Sequence, residues 1–154
     1  MIKRILQVFL LGVLLASPAF AQVHAGVRAG VSGDPTQFFF RGHIETPPLL
    51  ENLTFRPNVE LGVGDGTGLL AFNVEFAYRI PITRQPWHVY IGGGPALVIA
   101  SRPVPVNHSG DGSDVGGGFN ILVGAQHKKG LFTELKVGAL DSPSVKFAVG
   151  YAFK

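Results

Sequence analysis

The last third of the chain alternates apolar with polar or small residues at a period of two. From Phe119 to Phe153, three successive segments place an apolar residue at every second position. Successive side chains of a β-strand point to opposite faces, so this period predicts strands that have one apolar face. Each segment is about ten residues long, and a tilted β-strand needs roughly 9–11 residues to cross a membrane. The pattern therefore predicts three consecutive strands of membrane-spanning length.

The same alternation extends through the rest of the chain after a short N-terminal segment. With 21 glycines and 11 prolines, no stretch of a dozen residues after residue 22 keeps helical spacing free of helix breakers. The sequence predicts an all-β domain of eight antiparallel strands in which residues 101–117 form the single long connection. Pro57 predicts a strand end or a bulge, because proline cannot donate to a ladder. The predicted strands are residues 23–31, 38–45, 53–63, 70–80, 87–99, 118–126, 131–139 and 144–153.

The N-terminus has the features of a secretory signal peptide. Lys3 and Arg4 precede an apolar run, and the small residues Ala19 and Ala21 have the spacing that signal peptidase requires. We therefore expect residues 1–21 to be cleaved and residues 22–154 to form one barrel domain. Loss of two basic residues lowers the formal charge from +3 to +1, so charge gives no support for nucleic-acid binding. The chain has no cysteine and cannot depend on disulfides.

The charged residues of the predicted strands all fall on the face opposite the apolar one. An eight-stranded barrel has an interior just wide enough for side chains to fill, and buried charges persist when they are paired. We therefore predict a plugged lumen, with Glu75, Arg79 and Glu60 as the first candidate pairs and with Glu45 on the same face. The predicted lumen ion network consists of Arg28, Arg41, Arg56, Glu60, Glu75, Arg79, Glu134, Lys136 and Lys146.

Two barrels are compatible with a period of two: a membrane barrel with the apolar face outside, and a soluble lipocalin-like barrel that binds an apolar ligand inside. Charged residues make up 15% of the chain, against about 25% in soluble domains, which is too few for a solvated exterior. Large aromatic residues on the apolar face also favour the membrane barrel, because a narrow interior cannot hold them all. They are Phe38, Phe40, Phe72, Phe76, Tyr78, Trp87, Phe147, Tyr151 and Phe153.

Three stretches resemble small bacterial outer-membrane barrels of the OmpA/OmpX-like superfamily: residues 87–94 (Trp-His-Val-Tyr-Ile-Gly-Gly-Gly), residues 119–124 (Phe-Asn-Ile-Leu-Val-Gly) and the ending at residues 149–153. The chain departs from that pattern at Lys154, because such barrels commonly end on an aromatic residue. The resemblance implies a monomer in the outer membrane, surrounded by lipid and lipopolysaccharide and inserted by the barrel-assembly machinery. It also implies a periplasmic N-terminus, with the odd-numbered connections facing outward.

That topology would bring all the aspartates to the outer side of the membrane. Aspartate next to glycine is mostly turn chemistry. The alternative is an acidic rim that binds divalent cations bridging lipopolysaccharide, since such cations prefer oxygen ligands. The residues of this candidate rim are Asp34, Asp65, Asp111, Asp114 and Asp141.

Catalysis and cofactor binding have weaker support. Asn107, His108 and Ser109 combine a nucleophile with a base but lack an orienting acid. Lipid A deacylase barrels carry a His-x-Ser-Asn motif on a late strand, and residues 134–139 here contain neither His nor Ser. A lipid-A-modifying hydrolase is therefore the third hypothesis, and the chain is predicted not to be an enzyme. The five histidines have no metal-ligand spacing, and we predict no metal or cofactor. The predicted role is envelope integrity or surface interaction through residues 101–117.

Overall fold

The structure, a computed structural model, describes residues 23–82, 86–102 and 112–153. These residues form a closed barrel in which each strand pairs with its neighbour in chain order. The strands are β1 His24–Gly33, β2 Gln37–Glu45, β3 Leu53–Gly64, β4 Thr67–Arg79, β5 Trp87–Ser101, β6 Ser113–His127, β7 Leu131–Leu140 and β8 Val145–Phe153.

The first and last strands close the barrel. β1 pairs with β8 in antiparallel register, from Ala25 opposite Phe153 to Gly33 opposite Val145. The predicted eight-stranded antiparallel barrel is thus confirmed. Closure removes the unpaired edges that an open sheet would expose. We call the end where β1 begins and β8 ends the N-terminal mouth, and the opposite end the distal mouth. No helix in the part of the chain that the structure describes is long and apolar enough to cross a membrane.

The fifth connection is shorter than predicted, and Asp114 does not lie in it. β5 continues to Ser101 and β6 begins at Ser113, so the connection covers residues 102–112, of which 103–111 lie outside the described residues. Ala100 lies opposite Asp114 in the ladder. The prediction was wrong here because Gly116 and Gly117 carry no side chains and therefore show no alternation, although they pair as strand residues.

Pro57 also differs from the prediction, because β3 neither ends nor bulges there. The β2–β3 register is the same on both sides of Pro57: His43 lies opposite Asn58, and Thr46 N donates to Phe55 O at 3.0 Å. The last pair of this ladder is His43 with Asn58, the residue after Pro57. The proline is accommodated by the loss of one backbone hydrogen bond without a shift in register.

The apolar face lies on the outside of the barrel. All nine aromatic residues predicted for that face are exposed, from Phe76 at 40% to Phe38 at 67%. The soluble lipocalin-like alternative is therefore wrong, since it requires these rings inside. Phe39 and Phe132 are buried in the lumen with the charged residues, because their positions in the alternation place them on the inward face.

Candidate functional site

The lumen holds eight of the nine residues predicted for the ion network. They project inward from six strands, at positions that alternate with the exposed apolar residues. Each of them is at most 3% exposed: Arg28, Arg41, Arg56, Glu60, Glu75, Glu134, Lys136 and Lys146.

Glu60 joins bases from two other strands. Its Oε2 accepts a hydrogen bond from Arg41 Nη2, and its Oε1 accepts one from Lys146 Nζ at 2.5 Å. Arg41 lies on the neighbouring strand β2, whereas Lys146 comes from β8. Both carboxylate oxygens are therefore paired, as a buried charge requires.

Glu134 is the carboxylate with the most cationic neighbours. Arg28 Nη1 donates to its Oε1, and Tyr90 Oη donates to its Oε2 at 3.0 Å. Arg41 Nη1 and Arg56 Nη1 lie 3.8 Å from its two oxygens. Glu134 thus connects β7 with β1, β2, β3 and β5, and it holds together the half of the network that is richest in arginine.

Glu75 links the ion network to a chain of buried amides. Lys136 Nζ donates to its Oε1, and Asn58 Nδ2 donates to its Oε2 at 2.9 Å. Asn58 Oδ1 accepts a bond from Asn73 Nδ2, and Asn73 Oδ1 accepts one from Asn120 Nδ2, both at 2.9 Å. The amide chain therefore carries the hydrogen bonding from Glu75 to β6, a strand that contributes no charge to the network.

Aromatic rings flank the guanidinium groups. Arg56 Cζ lies 4.8 Å from the centroid of the Tyr90 ring, and Arg28 Cζ lies 5.2 Å from that of Phe132. Such contacts favour a cation over the ring face. The sequence analysis did not assign Tyr90, Phe132 or the asparagines to the network. The signal that identifies them is their place on the charged face of each strand.

Arg79 does not belong to the buried network, and this corrects the prediction. It is the last residue of β4, so its side chain lies at the N-terminal mouth and is exposed. The predicted pairing of Glu75, Arg79 and Glu60 is also wrong, because Glu60 binds Arg41 and Lys146 and Glu75 binds Lys136. Glu45, half-buried at the same mouth, pairs instead with Arg56 Nε at 3.4 Å.

Four of the five acidic residues predicted for the outer rim lie among the described residues, and they lie at the distal mouth. Asp34, Asp114 and Asp141 line a cavity of about 410 Å³ there, together with Arg102. Asp65 Oδ2 accepts a hydrogen bond from Thr36 N at 3.1 Å, so it stabilises two neighbouring turns. Within the described residues no three His, Asp or Glu side chains form a group that could hold a metal ion. Asp111 lies outside those residues.

The candidate catalytic residues Asn107, His108 and Ser109 also lie outside the described residues. On β7, residues 134–139 direct Glu134 and Lys136 into the ion network. Both side chains are engaged in buried ion pairs, Glu134 with Arg28 and Lys136 with Glu75. The chemistry that the lumen supports is the neutralisation of charge by charge.

Comparison with known proteins relates this barrel to membrane proteins. No protein-family model matches the sequence, and no curated protein matches it either. Among solved structures, it is similar to Neisserial surface protein A (NspA), with 14% identity over 86% of this chain and 95% of that chain and a TM-score of 0.65. It is also similar to the N-terminal β-barrel domain of Pseudomonas aeruginosa OprF, with 13% identity over 85% and 96% and a TM-score of 0.63.

A third similar structure, the outer membrane enzyme PagL, has 14% identity over 84% of this chain and 98% of that chain, with a TM-score of 0.52. At these identities the likeness establishes the fold alone. The chain has the fold of the small eight-stranded outer-membrane barrels of the OmpA/OmpX type. This is the fold that the sequence resemblance implied.

Proposed function

We propose that this protein is an outer-membrane barrel with a structural or surface-interaction role, and that it neither conducts nor catalyses. The observation that carries the proposal is the polarity of the wall: paired charges fill the inside, and apolar side chains cover the outside. A closed barrel satisfies its backbone groups internally, as the bilayer requires. An apolar exterior of this kind is stable in lipid and is a liability in water.

The lumen argues against an open pore. Glu60, Glu75 and Glu134 each bind bases that come from other strands, so the ion pairs cross the interior in several directions. A barrel of eight strands has room for side chains and little else. A conducting path would require breaking several buried ion pairs at once, and breaking one costs about 3–5 kcal/mol.

Refolding the mature chain tests the proposal. We expect a band that migrates compactly on a gel until the sample is boiled, and only when detergent was present during folding. The same protein should give no steady conductance in planar bilayers. A folded monomer in detergent-free buffer would contradict the membrane location, and a steady channel would contradict the plug.

The surface role depends on the distal mouth and on residues 102–112. We propose that this end faces out of the cell and that the barrel is inserted as a monomer by the barrel-assembly machinery, among lipopolysaccharide. Proteoliposomes that contain the assembly machinery should speed folding over empty vesicles of the same lipid. Replacing residues 103–111 by a glycine-serine linker should leave folding intact. Equal folding rates in the two vesicles would contradict insertion by the assembly machinery. A dimer in sedimentation would contradict the proposed monomeric state.

A further inference from the structure

At the distal mouth, β6 extends past its neighbour β7. The last pair between these two strands is Gly118 opposite Leu140, whereas β5 stays beside β6 as far as Ser101 opposite Ser113. Residues 113–117 of β6 therefore have a strand on one side only. We call their other side, along which no strand of the described residues lies, the open edge.

The alternation of the β5–β6 ladder decides which backbone groups face the open edge. Arg102 N donates to Gly112 O at 2.8 Å, and this pair continues the register of the two strands. Hydrogen-bonded and non-hydrogen-bonded positions alternate in an antiparallel ladder, so the even-numbered residues of β6 bond to β5. The odd-numbered residues face the side of β7, and Asp141 N accordingly donates to Gly117 O at 3.4 Å.

Two residues beyond Gly117 have no strand to bond on that side. Ser113 and Val115 direct their N–H and C=O groups at the open edge, where no described residue bonds them. Ser113 and Asp114 are exposed, and Val115 is 67% exposed. The bilayer core cannot satisfy unpaired backbone groups, so the open edge has to lie outside the hydrocarbon region.

The turn between β7 and β8 leaves the open edge uncovered. After Asp141 the chain enters the mouth of the barrel, where Ser142 and Pro143 are buried. A Cβ at Gly118 would meet Ser142 Oγ, which places this serine over the inward face of β6. The space beside Val115 is therefore free of the described chain, and a further strand can lie there.

The two faces beside the open edge differ in chemistry. On the outward face, Val115 and Leu140 are apolar and exposed, Leu140 at 85%. On the inward face, three aspartates and one arginine line the distal cavity of about 410 Å³. The Asp141 carboxylate lies over Gly116, because a Cβ there would meet its Oδ2. An added strand would therefore meet apolar side chains on one face and carboxylates on the other.

We propose that the open edge binds an extended segment of another protein in which basic residues alternate with apolar ones. The segment pairs with Ser113 and Val115 as an added strand, so main-chain hydrogen bonds supply the affinity. Successive side chains of a strand point to opposite faces. The basic residues of the segment thus meet the aspartates of the cavity, and its apolar residues pack against Val115 and Leu140. The inference names a partner for the surface role proposed above and rests on that role.

A second copy of the barrel fits the open edge less well. Two barrels inserted into one membrane have the same orientation, so their β6 strands run in the same direction and cannot pair in antiparallel fashion. Parallel pairing is less stable per residue, and it would bring two acidic mouths together. A segment that is free in direction and opposite in charge is therefore the better occupant.

The test uses two synthetic peptides of about six residues, the usual length of a strand, one alternating lysine with valine and the other glutamate with valine. Each is titrated into the protein folded in a nonionic detergent, while hydrogen exchange of the backbone amides is followed by NMR. We expect the lysine peptide to slow exchange at Ser113 and Val115 about tenfold or more, because their N–H groups become bonded. Exchange at Asp114 and Gly116, which already bond to β5, should not change. Equal effects of the two peptides, or no slowing at Ser113 and Val115, would overturn the proposal.

Variants separate the backbone pairing from the charge. Val115→Pro removes an N–H from the open edge without breaking a bond to β5, so it should abolish binding of the lysine peptide. Val115→Ala keeps that N–H and should retain binding. Replacing both Asp114→Asn and Asp141→Asn should remove the preference for the lysine peptide over the glutamate peptide. An unchanged preference in that double variant would contradict the role of the aspartates.

The folding gel keeps this inference separate from the proposed function. Heat modifiability reports whether each variant forms the barrel, and the peptide titration reports only on the open edge. Slow exchange at Ser113 and Val115 in the free monomer would mean that the edge is already occupied, and it would overturn the proposal. A dimer that Val115→Pro dissociates would assign the edge to a second copy of the barrel.

Discussion

The two sides of the lumen are filled in opposite ways. Six strands contribute the ion pairs and the large rings Phe39 and Phe132. The longest strands, β5 and β6, contribute mainly small or uncharged residues to the lumen. Their inward positions in the middle of the barrel are Tyr90, Gly92, Gly94, Ala96 and Val98 in β5, and Gly116, Gly118, Asn120, Leu122 and Gly124 in β6.

The difference shows how a narrow barrel can hold charges. Long side chains need space on the opposite wall, and the glycines of β5 and β6 supply it. A Cβ at Gly124, for example, would overlap the ring of Tyr90, the residue that donates to Glu134. The wall formed by β5 and β6, the small wall, therefore packs against the wall formed by the other six strands, the charged wall. Substitutions on the two walls should lower the free energy of unfolding by different amounts.

The largest expected effect comes from removing a carboxylate from the charged wall. Glu134→Ala leaves Arg28 without its partner and removes the acceptor of Tyr90. We expect the free energy of unfolding to fall by about 3–5 kcal/mol, the cost of an uncompensated buried charge, without a new conductance. Urea unfolding in lipid vesicles measures the free energy of unfolding, and current recordings in planar bilayers measure the conductance.

The control for that variant is Glu51→Ala, in the exposed turn before β3, which should unfold like the wild type. Glu134→Gln keeps the shape and one acceptor oxygen, so its loss of stability should be smaller than that of Glu134→Ala. If Glu134→Ala were as stable as Glu51→Ala, the ion network could not be what fills the lumen.

On the small wall, the expected effect is overpacking. A Cβ at Gly94 would overlap the carbonyl oxygen of Val74, and backbone cannot move aside as a flexible side chain can. Gly94→Ala should destabilise the barrel by about 1–3 kcal/mol. Gly117→Ala points outward into open space and should cost far less in the same unfolding assay. Equal stability of the two variants would mean that β5 is not tightly packed against β4.

The amides that join the two walls should have an intermediate role. Asn73 donates to Asn58 and accepts from Asn120, so Asn73→Ala leaves two buried amides each short of a partner. We expect a loss of about 1–2 kcal/mol. Asn73→Asp keeps the acceptor of Asn120 but places an unpaired charge near Glu75, and it should be less stable than Asn73→Ala. The opposite order would argue that the amide chain does not reach the ion network.

The charged wall was predictable from the sequence, whereas the small wall was not. Alternation alone assigns Arg28, Glu60 and Lys146 to the inside, because a charge on the lipid face is expensive. Glycine has no side chain to show alternation, so the sequence analysis began β6 five residues late. Strand pairing determined the partners, and Lys136 reaches Glu75 from three strands away. No local pattern in the sequence specifies which residues meet across a closed barrel.

The smallest effect is expected for Arg79, which the alternation assigns to the same face as Arg56. Arg56 lies 4.8 Å from the Tyr90 ring and pairs with Glu45, whereas Arg79 is exposed at the mouth. Removing an exposed cation changes the stability of the fold little, because water already solvates that cation in the folded protein. Arg79→Ala should therefore leave the unfolding midpoint unchanged, while Arg56→Ala lowers it, because Arg56 is buried between Glu45 and Glu134. A marked loss of stability in Arg79→Ala would mean that the charged wall extends to the N-terminal mouth. The face on which a charged residue lies would then decide its contribution to stability more than its position along the strand.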